Sequence, residues 1–305
     1  MEKHRKKLIK NATVFDGHSS GLAQGKKIVI EDDIVTEITA DEVSEENFDE
    51  VFDGTGMVAM PGMTDAHVHM GCLFAKGEFP VDYATVLTVA KCKDALMAGF
   101  TTFRDAGSVS EGLKLAFDEG VLPGPRIYPC GAYISQTCGH GDSEYAHTYR
   151  DIQYRHPSST VLADGVPEII RAVREQFYRG ASHIKLMATE ILNRHEDIRL
   201  LFGTDMMITR PDYQVEQSED IRYYEKRFGT MRALRALTGT ANEVFALTTY
   251  QNPYPKGKIG VLEAGSYADL LLVDGDPTKS VSVLADTDHL RLIMKGGTVY
   301  KNTLC

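Results

Sequence analysis

Tryptophan is absent from this sequence, and five cysteines are few for a chain of 305 residues. Cys72, Cys92, Cys130, Cys138 and Cys305 are odd in number and lack the paired spacings of disulfide or metal-binding frameworks. Structural disulfides also belong to oxidising compartments. The cysteines therefore predict reduced thiols in a cytoplasmic protein, with a reactive or regulatory thiol as the alternative.

Long apolar segments are also absent. No stretch approaches the roughly 18 apolar residues that a membrane-spanning helix needs. The basic residues 1–10 are followed by Asn11, Thr13, Asp16 and Gly17, whereas a signal peptide would continue into an apolar run. We therefore expect neither export nor membrane insertion.

Positive charge is the third deficit. Lysine and arginine together number 33 against 43 aspartates and glutamates, which gives a formal net charge of −10. Such a chain has little attraction for nucleic-acid phosphates or for anionic membranes. The expected partner is therefore a small molecule, and association into a homo-oligomer stays open.

What is present is typical of a folded, enzyme-sized protein. Hydrophobic residues make up 43% and charged residues 25% of the chain, close to the average of globular proteins. At about 150 residues per domain, the length allows one large domain or two ordinary ones. Both ends have a β-rich texture, with short apolar pieces between Gly and Asp turns, at Lys27–Glu31, Val58–Met60, Asp269–Val273 and Leu290–Met294.

Between the two ends, helices alternate with short strands. The predicted helices are Thr85–Ala98, Glu111–Glu119 and Pro167–Arg179, and the strands that follow them are Thr101–Arg104, Arg126–Ile134 and His183–Ala188. A glycine follows each helix closely, as expected for a left-handed helix cap. This order predicts parallel strands with helical crossovers, and therefore an α/β fold that is either a barrel or an open sheet.

Two histidines carry the first chemical signal. His67 and His69 lie two residues apart in an extended segment, so strand alternation places both imidazoles on one face. Paired neutral imidazoles can hold a divalent ion. On this pattern alone, two partly exposed histidines at a strand end are an equally good interpretation.

Two further polar residues interrupt or end apolar strands. Lys185 lies within His183–Ala188, where an ammonium would be costly to bury, and a neutral amine there can react with carbon dioxide to form a carbamate ligand. The commoner alternative is pairing with a buried acid. Asp205 ends the apolar segment 200–205, at the carboxyl edge where such sheets hold active sites. It predicts a metal ligand and proton acceptor, with a helix cap as the alternative.

Taken together, these motifs resemble the amidohydrolase superfamily, specifically its imidazolonepropionase-like and prolidase-like metal-dependent hydrolases. The resemblance covers nearly the whole chain. It rests on Met60-Pro61-Gly62 before His67-x-His69, on segments 98–105, 134–142 and 180–189, on Phe202-Gly203-Thr204-Asp205, and on segments 257–260 and 265–270.

The resemblance implies a distorted TIM-like (β/α) barrel with a small β-sandwich formed by both chain ends. Residues 1–60 and 256–305 would form the sandwich domain, and residues 61–255 the barrel domain. In such enzymes a His-x-His pair, a carboxylated lysine and a strand-end aspartate hold one divalent ion, often zinc. The carbamate and two further histidines hold a second.

Four of those six ligands are matched here, by His67, His69, Lys185 and Asp205. The resemblance also gives Asp205 the catalytic role of passing a proton to the leaving nitrogen while the metal polarises the amide carbonyl. His140 would meet the substrate, with an ordinary loop histidine as the alternative.

The chain departs from the family in the stretch between two of these ligands. Only 20 residues separate Lys185 from Asp205, whereas relatives have well over a hundred there, including both second-site histidines. Residues 61–247 also number 187, fewer than the roughly 250 of a complete barrel. We therefore expect an incomplete barrel, truncated between about 189 and 197. His183 and His195 could replace lost ligands, but a packing histidine and a loop histidine are the favoured interpretations.

Two functional hypotheses follow. The first is a metal-dependent hydrolase of carbon–nitrogen bonds, in dipeptides or N-acyl amino acids. The second is a catalytically impaired, internally deleted homologue that binds one ion at most or acts only by association. A nucleotide-binding protein is disfavoured because the sequence has neither a Gly-x-Gly-x-x-Gly nor a phosphate-loop motif.

Overall fold

The computed structural model describes residues 5–70, 81–107, 109, 111–137, 139, 141–142, 160–186, 199–207 and 213–304. The strands are β1 (Lys6–Val14), β2 (Ala23–Glu31), β3 (Ile34–Thr39), β4 (Glu50–Asp53), β5 (Val58–Pro61), β6 (Met63–His69), β7 (Phe100–Asp105), β8 (Arg126–Tyr128), β9 (Tyr133–Ser135), β10 (Thr160–Leu162), β11 (Met206–Met207), β12 (Leu270–Val273), β13 (Leu290–Lys295) and β14 (Thr298–Asn302). The α-helices are α1 (Val81–Met97), α2 (Glu111–Asp118), α3 (Val166–Tyr178), α4 (Tyr213–Phe228), α5 (Thr230–Leu237) and α6 (Gly239–Phe245). Short 3-10 helices occupy Glu45–Asn47, Ala246–Gln251, Val281–Ala285 and Thr287–His289.

Strands from both ends of the chain form one hydrogen-bonded sheet of eight strands. Its order is β14-β13-β12-β5-β1-β2-β3, with β4 also paired to β1. The antiparallel pairing of β12 with β5 joins the C-terminal strands to the N-terminal ones. The sheet packs around an apolar cluster that includes Ile9, Ile28, Leu270 and Leu292, all fully buried. The domain boundaries at residues 60 and 256 stay a prediction.

The α/β part contains the parallel strands and helical crossovers that the sequence predicts. Four strands pair in parallel in the order β11-β6-β7-β8, with α1 and α2 connecting successive members, and β9 pairs in parallel with β10. Among the residues that the structure describes, these strands form no closed ring of eight, as an incomplete barrel requires. The predicted truncation at 189–197 lies outside the described residues.

Three predicted strands differ from the structure. Arg126–Ile134 is divided into β8 and β9, because Pro129 has no N–H to donate and Gly131 adopts a φ of 69°. In the described part of His183–Ala188, only the isolated bridge between Ile134 and Leu186 is present. Residues 200–205 also stay outside regular strands, although Ala66 donates its N–H to the Phe202 carbonyl.

One buried ion pair connects the terminal sheet to the α/β part. Arg126 of β8 donates two hydrogen bonds to the Asp269 carboxylate, at 2.7 and 3.2 Å. The same guanidinium lies 3.8 Å from the centroid of the Tyr267 ring. The two partners come from segments 143 residues apart, so this contact fixes the terminal sheet against the strands that carry the site.

The described part of the chain contains no helix that is both long and apolar enough to cross a membrane. Both described cysteines, Cys92 and Cys130, are buried thiols outside any disulfide. Burial raises the pKa of the Cys92 thiol well above its usual value. Cys92 is therefore an inert packing residue.

Candidate metal centre

The carboxyl end of β6 presents two histidines on one face. Residues Met63 to Ala66 are fully buried, and the strand then emerges so that His67 and His69 are partly exposed. The two ring centroids lie 5.3 Å apart, with the rings tilted by 56°. β6 has β7 on one side and β11 on the other, so neighbouring backbone fixes the position of both histidines.

Asp205 faces both imidazoles. Its Oδ1 atom lies 3.0 Å from the His67 Nε2 atom and 3.0 Å from the His69 Nε2 atom. The Asp205 N–H donates to the His67 carbonyl at 2.7 Å, which holds the segment against β6. Its side chain is 71% exposed, so water can reach the carboxylate.

Lys185 completes the predicted set. Its Nζ atom lies 3.0 Å from the His67 Nε2 atom. Its carbonyl accepts the Ile134 N–H at 2.9 Å, which ties the lysine to β9. The structure thus brings together all four residues that the sequence analysis selected as metal ligands, from three separate segments of the chain.

The donor atoms of His67, His69 and Asp205 fit a divalent cation. All lie within 4.8 Å of one another. Burial and the positive charge of Lys185 lower the pKa of His67 to about 4, against the attraction of Asp205, so this imidazole is neutral near pH 7. Three electron-pair donors therefore converge. Two ligands on one tetrahedral zinc are about 3.3 Å apart, close to the observed 3.0 Å distances.

His183 is held by other contacts. Its Nε2 atom lies 3.1 Å from the Asp105 carbonyl and its Nδ1 atom 3.0 Å from the Ser182 hydroxyl. Burial and the nearby Arg104 lower its pKa to about 3. A neutral imidazole beside a carbonyl donates from Nε2 and accepts at Nδ1, so both ring nitrogens are engaged. His183 is a packing histidine here, whereas His140 and His195 lie outside the described residues.

The buried Asp105 orders the backbone next to the site. Its carboxylate accepts the N–H groups of Met70, directly after His69, and of Val109. Burial raises the pKa of Asp105 to about 6, although these backbone N–H groups lower it. Asp105 thereby fixes the segment that leaves β6.

Sequence analysis gave no role to Asp65 or to two glycines at the site. Asp65 is a buried residue of β6, two positions before His67, and an acid in a buried strand was the available signal. A Cβ atom on Gly203 would lie 2.7 Å from the His67 Cβ, and one on Gly107 would lie 2.8 Å from the His69 Nδ1. Only glycine permits these close approaches without displacing a histidine.

Comparison with known proteins supports the relationship inferred from the motifs. Residues 58–197 match the amidohydrolase family. Ochratoxinase from Aspergillus niger is 34% identical over 152 residues, covering 43% of this chain and 31% of that protein. Imidazolonepropionase from Picrophilus torridus is 39% identical over 176 residues, covering 53% of this chain and 43% of that protein. The chain thus spans less than half of the length of either relative, 31% of the ochratoxinase and 43% of the imidazolonepropionase.

Solved structures share the fold at lower sequence identity. A prolidase complexed with N-methylphosphonate-L-proline superposes with a TM-score of 0.81 at 22% identity, covering 97% of this chain and all of that chain. The crystal structure of A. niger ochratoxinase gives a TM-score of 0.76 at 19% identity, covering 99% and 96% of the two chains. These likenesses concern the fold alone.

Proposed function

We propose that this chain is a member of the amidohydrolase superfamily and a metal-dependent hydrolase of carbon–nitrogen bonds in dipeptides or N-acyl amino acids. The observation that carries the proposal is the convergence of His67, His69 and Asp205, with Lys185 at the same nitrogen of His67. Among the proteins with a similar fold are a prolidase and a Xaa-Pro dipeptidase.

The chain's own groups suit this chemistry. His67 and His69 would hold the ion through Nε2, and Asp205 through Oδ1. A bound divalent ion would polarise the amide carbonyl and acidify water. The exposed Asp205 carboxylate would accept a proton from water and return it to the departing nitrogen. Lys185 would supply the fourth ligand as a carbamate, which its ammonium group would form by releasing two protons to solvent and adding carbon dioxide.

The second candidate is a one-metal homologue with little or no hydrolytic activity. The described residues provide one cluster of His, Cys, Asp and Glu ligands able to hold an ion. His183, the described candidate for a replacement ligand, uses both ring nitrogens elsewhere. Four protein ligands would also close a tetrahedral site, whereas catalysis needs an open position for water.

Elemental analysis of the purified chain, paired with hydrolysis assays on Xaa-Pro dipeptides and N-acyl amino acids, tests both candidates. We expect about one zinc per chain. The His67→Ala and His69→Ala variants should lose it, and the control variant His18→Ala should keep it, because His18 is exposed and lies outside the cluster of ligands. Hydrolysis by the zinc-loaded wild type would establish the first candidate, and zinc without hydrolysis the second. A chain that binds no metal would exclude both, and two tightly held ions would exclude the one-ion assignment.

A further inference from the structure

We propose that Asp65 is a positioning residue of the metal centre, which sets the distance between the imidazole of His67 and the carboxylate of Asp205. The inference rests on the proposed metal-binding function and deepens it. The Asp65 side chain is fully buried.

Both oxygens of the Asp65 carboxylate are hydrogen-bonded to the two ligand-bearing segments. Oδ1 accepts the His67 N–H and the Thr204 N–H, each at 3.2 Å. Oδ2 accepts the Thr204 hydroxyl at 2.9 Å and the Gln217 side-chain amide at 3.3 Å. One carboxylate therefore joins β6, the 202–205 segment and helix α4.

These contacts reach the backbone at the ligands themselves. The N–H of His67 belongs to one ligand, and Thr204 directly precedes another, Asp205. The segments lie 139 residues apart in sequence, so covalent structure alone does not fix their separation. Groups that orient metal ligands through hydrogen bonds commonly change metal affinity by 10–100-fold when they are removed.

A purely space-filling role does not account for a carboxylate at this position. Burying a carboxylate is unfavourable unless donors compensate it, and here four donors do so. Unlike an apolar side chain, the carboxylate fixes the orientation of those donors.

Metal affinity and ligand geometry, measured without any substrate, test this role. Asp65→Asn replaces one acceptor oxygen with an amide donor at nearly constant volume. Thr204→Val is the milder second variant, since it removes only the hydroxyl bond to Oδ2, and Thr204→Ser restores that hydroxyl. Asp269→Asn is the matched control, because it perturbs another buried carboxylate that holds Arg126 instead of a metal ligand.

Zinc affinity by competition with a chelator and the visible absorption of bound Co²⁺ give the two readouts. We expect Asp65→Asn to weaken zinc binding at least tenfold and to alter the Co²⁺ bands, and Thr204→Val to do so by a smaller factor. Thr204→Ser should bind like the wild type. Asp269→Asn should lower the melting temperature while changing zinc affinity less than threefold.

The outcomes separate this inference from the proposed function. If the wild type binds zinc and both Asp65→Asn and Thr204→Val keep its affinity and Co²⁺ spectrum, the positioning role is wrong while the metal site stands. Equal loss of zinc affinity in Asp65→Asn and Asp269→Asn would mean that Asp65 only stabilises the fold and does not position the ligands. A wild-type chain without zinc affinity would overturn the proposed function itself.

Discussion

Asp205 adopts a left-handed backbone conformation, with a φ of 55°, at the point where its carboxylate meets both imidazoles. Most residues avoid this region, but aspartate and asparagine tolerate it. The strand β11 begins directly afterwards, at Met206. The left-handed conformation of Asp205 therefore directs the ligand at the junction between the irregular segment 200–205 and this strand.

Asp205→Asn is expected to fold normally and to lose zinc affinity by at least tenfold. Asparagine accepts the same φ, but its neutral amide is a weaker ligand than a carboxylate. The matched control is Asp32→Asn, because Asp32 has a φ of 54° in a turn far from the site. Measurements of the melting temperature and the zinc affinity of both variants check the prediction. Wild-type zinc affinity in Asp205→Asn would contradict it.

Gly203 allows the 202–205 segment to lie against β6. A Cβ added to Gly203 would lie 2.7 Å from the His67 Cβ and 3.1 Å from the His67 backbone nitrogen. Gly203→Ala must therefore displace His67 or its own segment, and we expect weaker zinc binding together with a lower melting temperature.

The control for this prediction is Gly112→Ala. Gly112 lies in α2 with open space where its Cβ would stand, so alanine should raise helix stability by up to about 1 kcal/mol. Thermal unfolding and zinc competition compare the two variants. Wild-type zinc affinity in Gly203→Ala would mean that the segment yields without moving the histidine.

At the scale of elements, β6 is the strand that determines the site. It has hydrogen-bonded neighbours on both sides and carries both histidines at its carboxyl end. The helices around it are held by polar contacts as well as by apolar packing. The most extensive such contact joins α4 to the 3-10 helix Val281–Ala285.

Glu225 of α4 makes this contact. Its carboxylate accepts the N–H groups of Val281 and Ser282 and the hydroxyls of Ser280, Ser282 and Thr230. Burial raises the pKa of Glu225, but hydrogen bonds from Ser282, Thr230 and Ser280 outweigh it and leave the pKa below its usual value. The ionised carboxylate therefore stabilises the folded state.

Glu225→Gln should lower the free energy of unfolding at pH 7, and the difference from wild type should shrink as the pH falls. A pKa that is lower in the folded state gives stability that is present above the unfolded value of about 4.5 and is lost below it. Urea unfolding between pH 3 and 7 measures the difference. The control is Glu219→Gln on the exposed face of α4, and an equal pH-independent loss in both variants would contradict the assignment.

At the scale of the whole molecule, stability depends on how the terminal sheet is joined to the α/β part. Besides the pair of Arg126 and Asp269, Lys295 of β13 donates a hydrogen bond to the Gly124 carbonyl. Burial lowers the pKa of Lys295 from about 10.5 to about 8, although Asp269 raises it. The unfolded state therefore binds this proton more tightly than the folded state does.

The sign of that linkage gives the fourth prediction. Between pH 8 and pH 10.5 the unfolded chain holds the proton and the folded chain does not, so Lys295 makes stability rise with pH there, by up to about 3 kcal/mol. Lys295→Met removes this slope. Urea unfolding of wild type and variant should show their difference growing with pH, while the exposed Lys226→Met leaves the slope unchanged. If the free energy of unfolding depends on pH in the same way in Lys295→Met and in the wild type, this prediction is wrong.

The sequence by itself determined the choice of candidate ligands, the β-rich texture of both chain ends and most element positions. His67 and His69 share a face because strand alternation is local, and the predicted helices agree with α1, α2 and α3 to within a few residues. The match of residues 58–197 to the amidohydrolase family supports the inferred relationship. Such features are encoded within short stretches, where neighbouring residues impose the pattern.

Tertiary structure decided what depends on segments distant in sequence. The sequence analysis assigned no role to Asp65. Its carboxylate connects β6 to the 202–205 segment only because the fold brings Thr204, 139 residues away in sequence, within hydrogen-bond distance. His183 was expected to be a packing histidine, and the tertiary structure supplies its partners, the Ser182 hydroxyl and the Asp105 carbonyl, at its two ring nitrogens. A side chain's hydrogen-bond partners are set by through-space packing, which no local pattern of residues records.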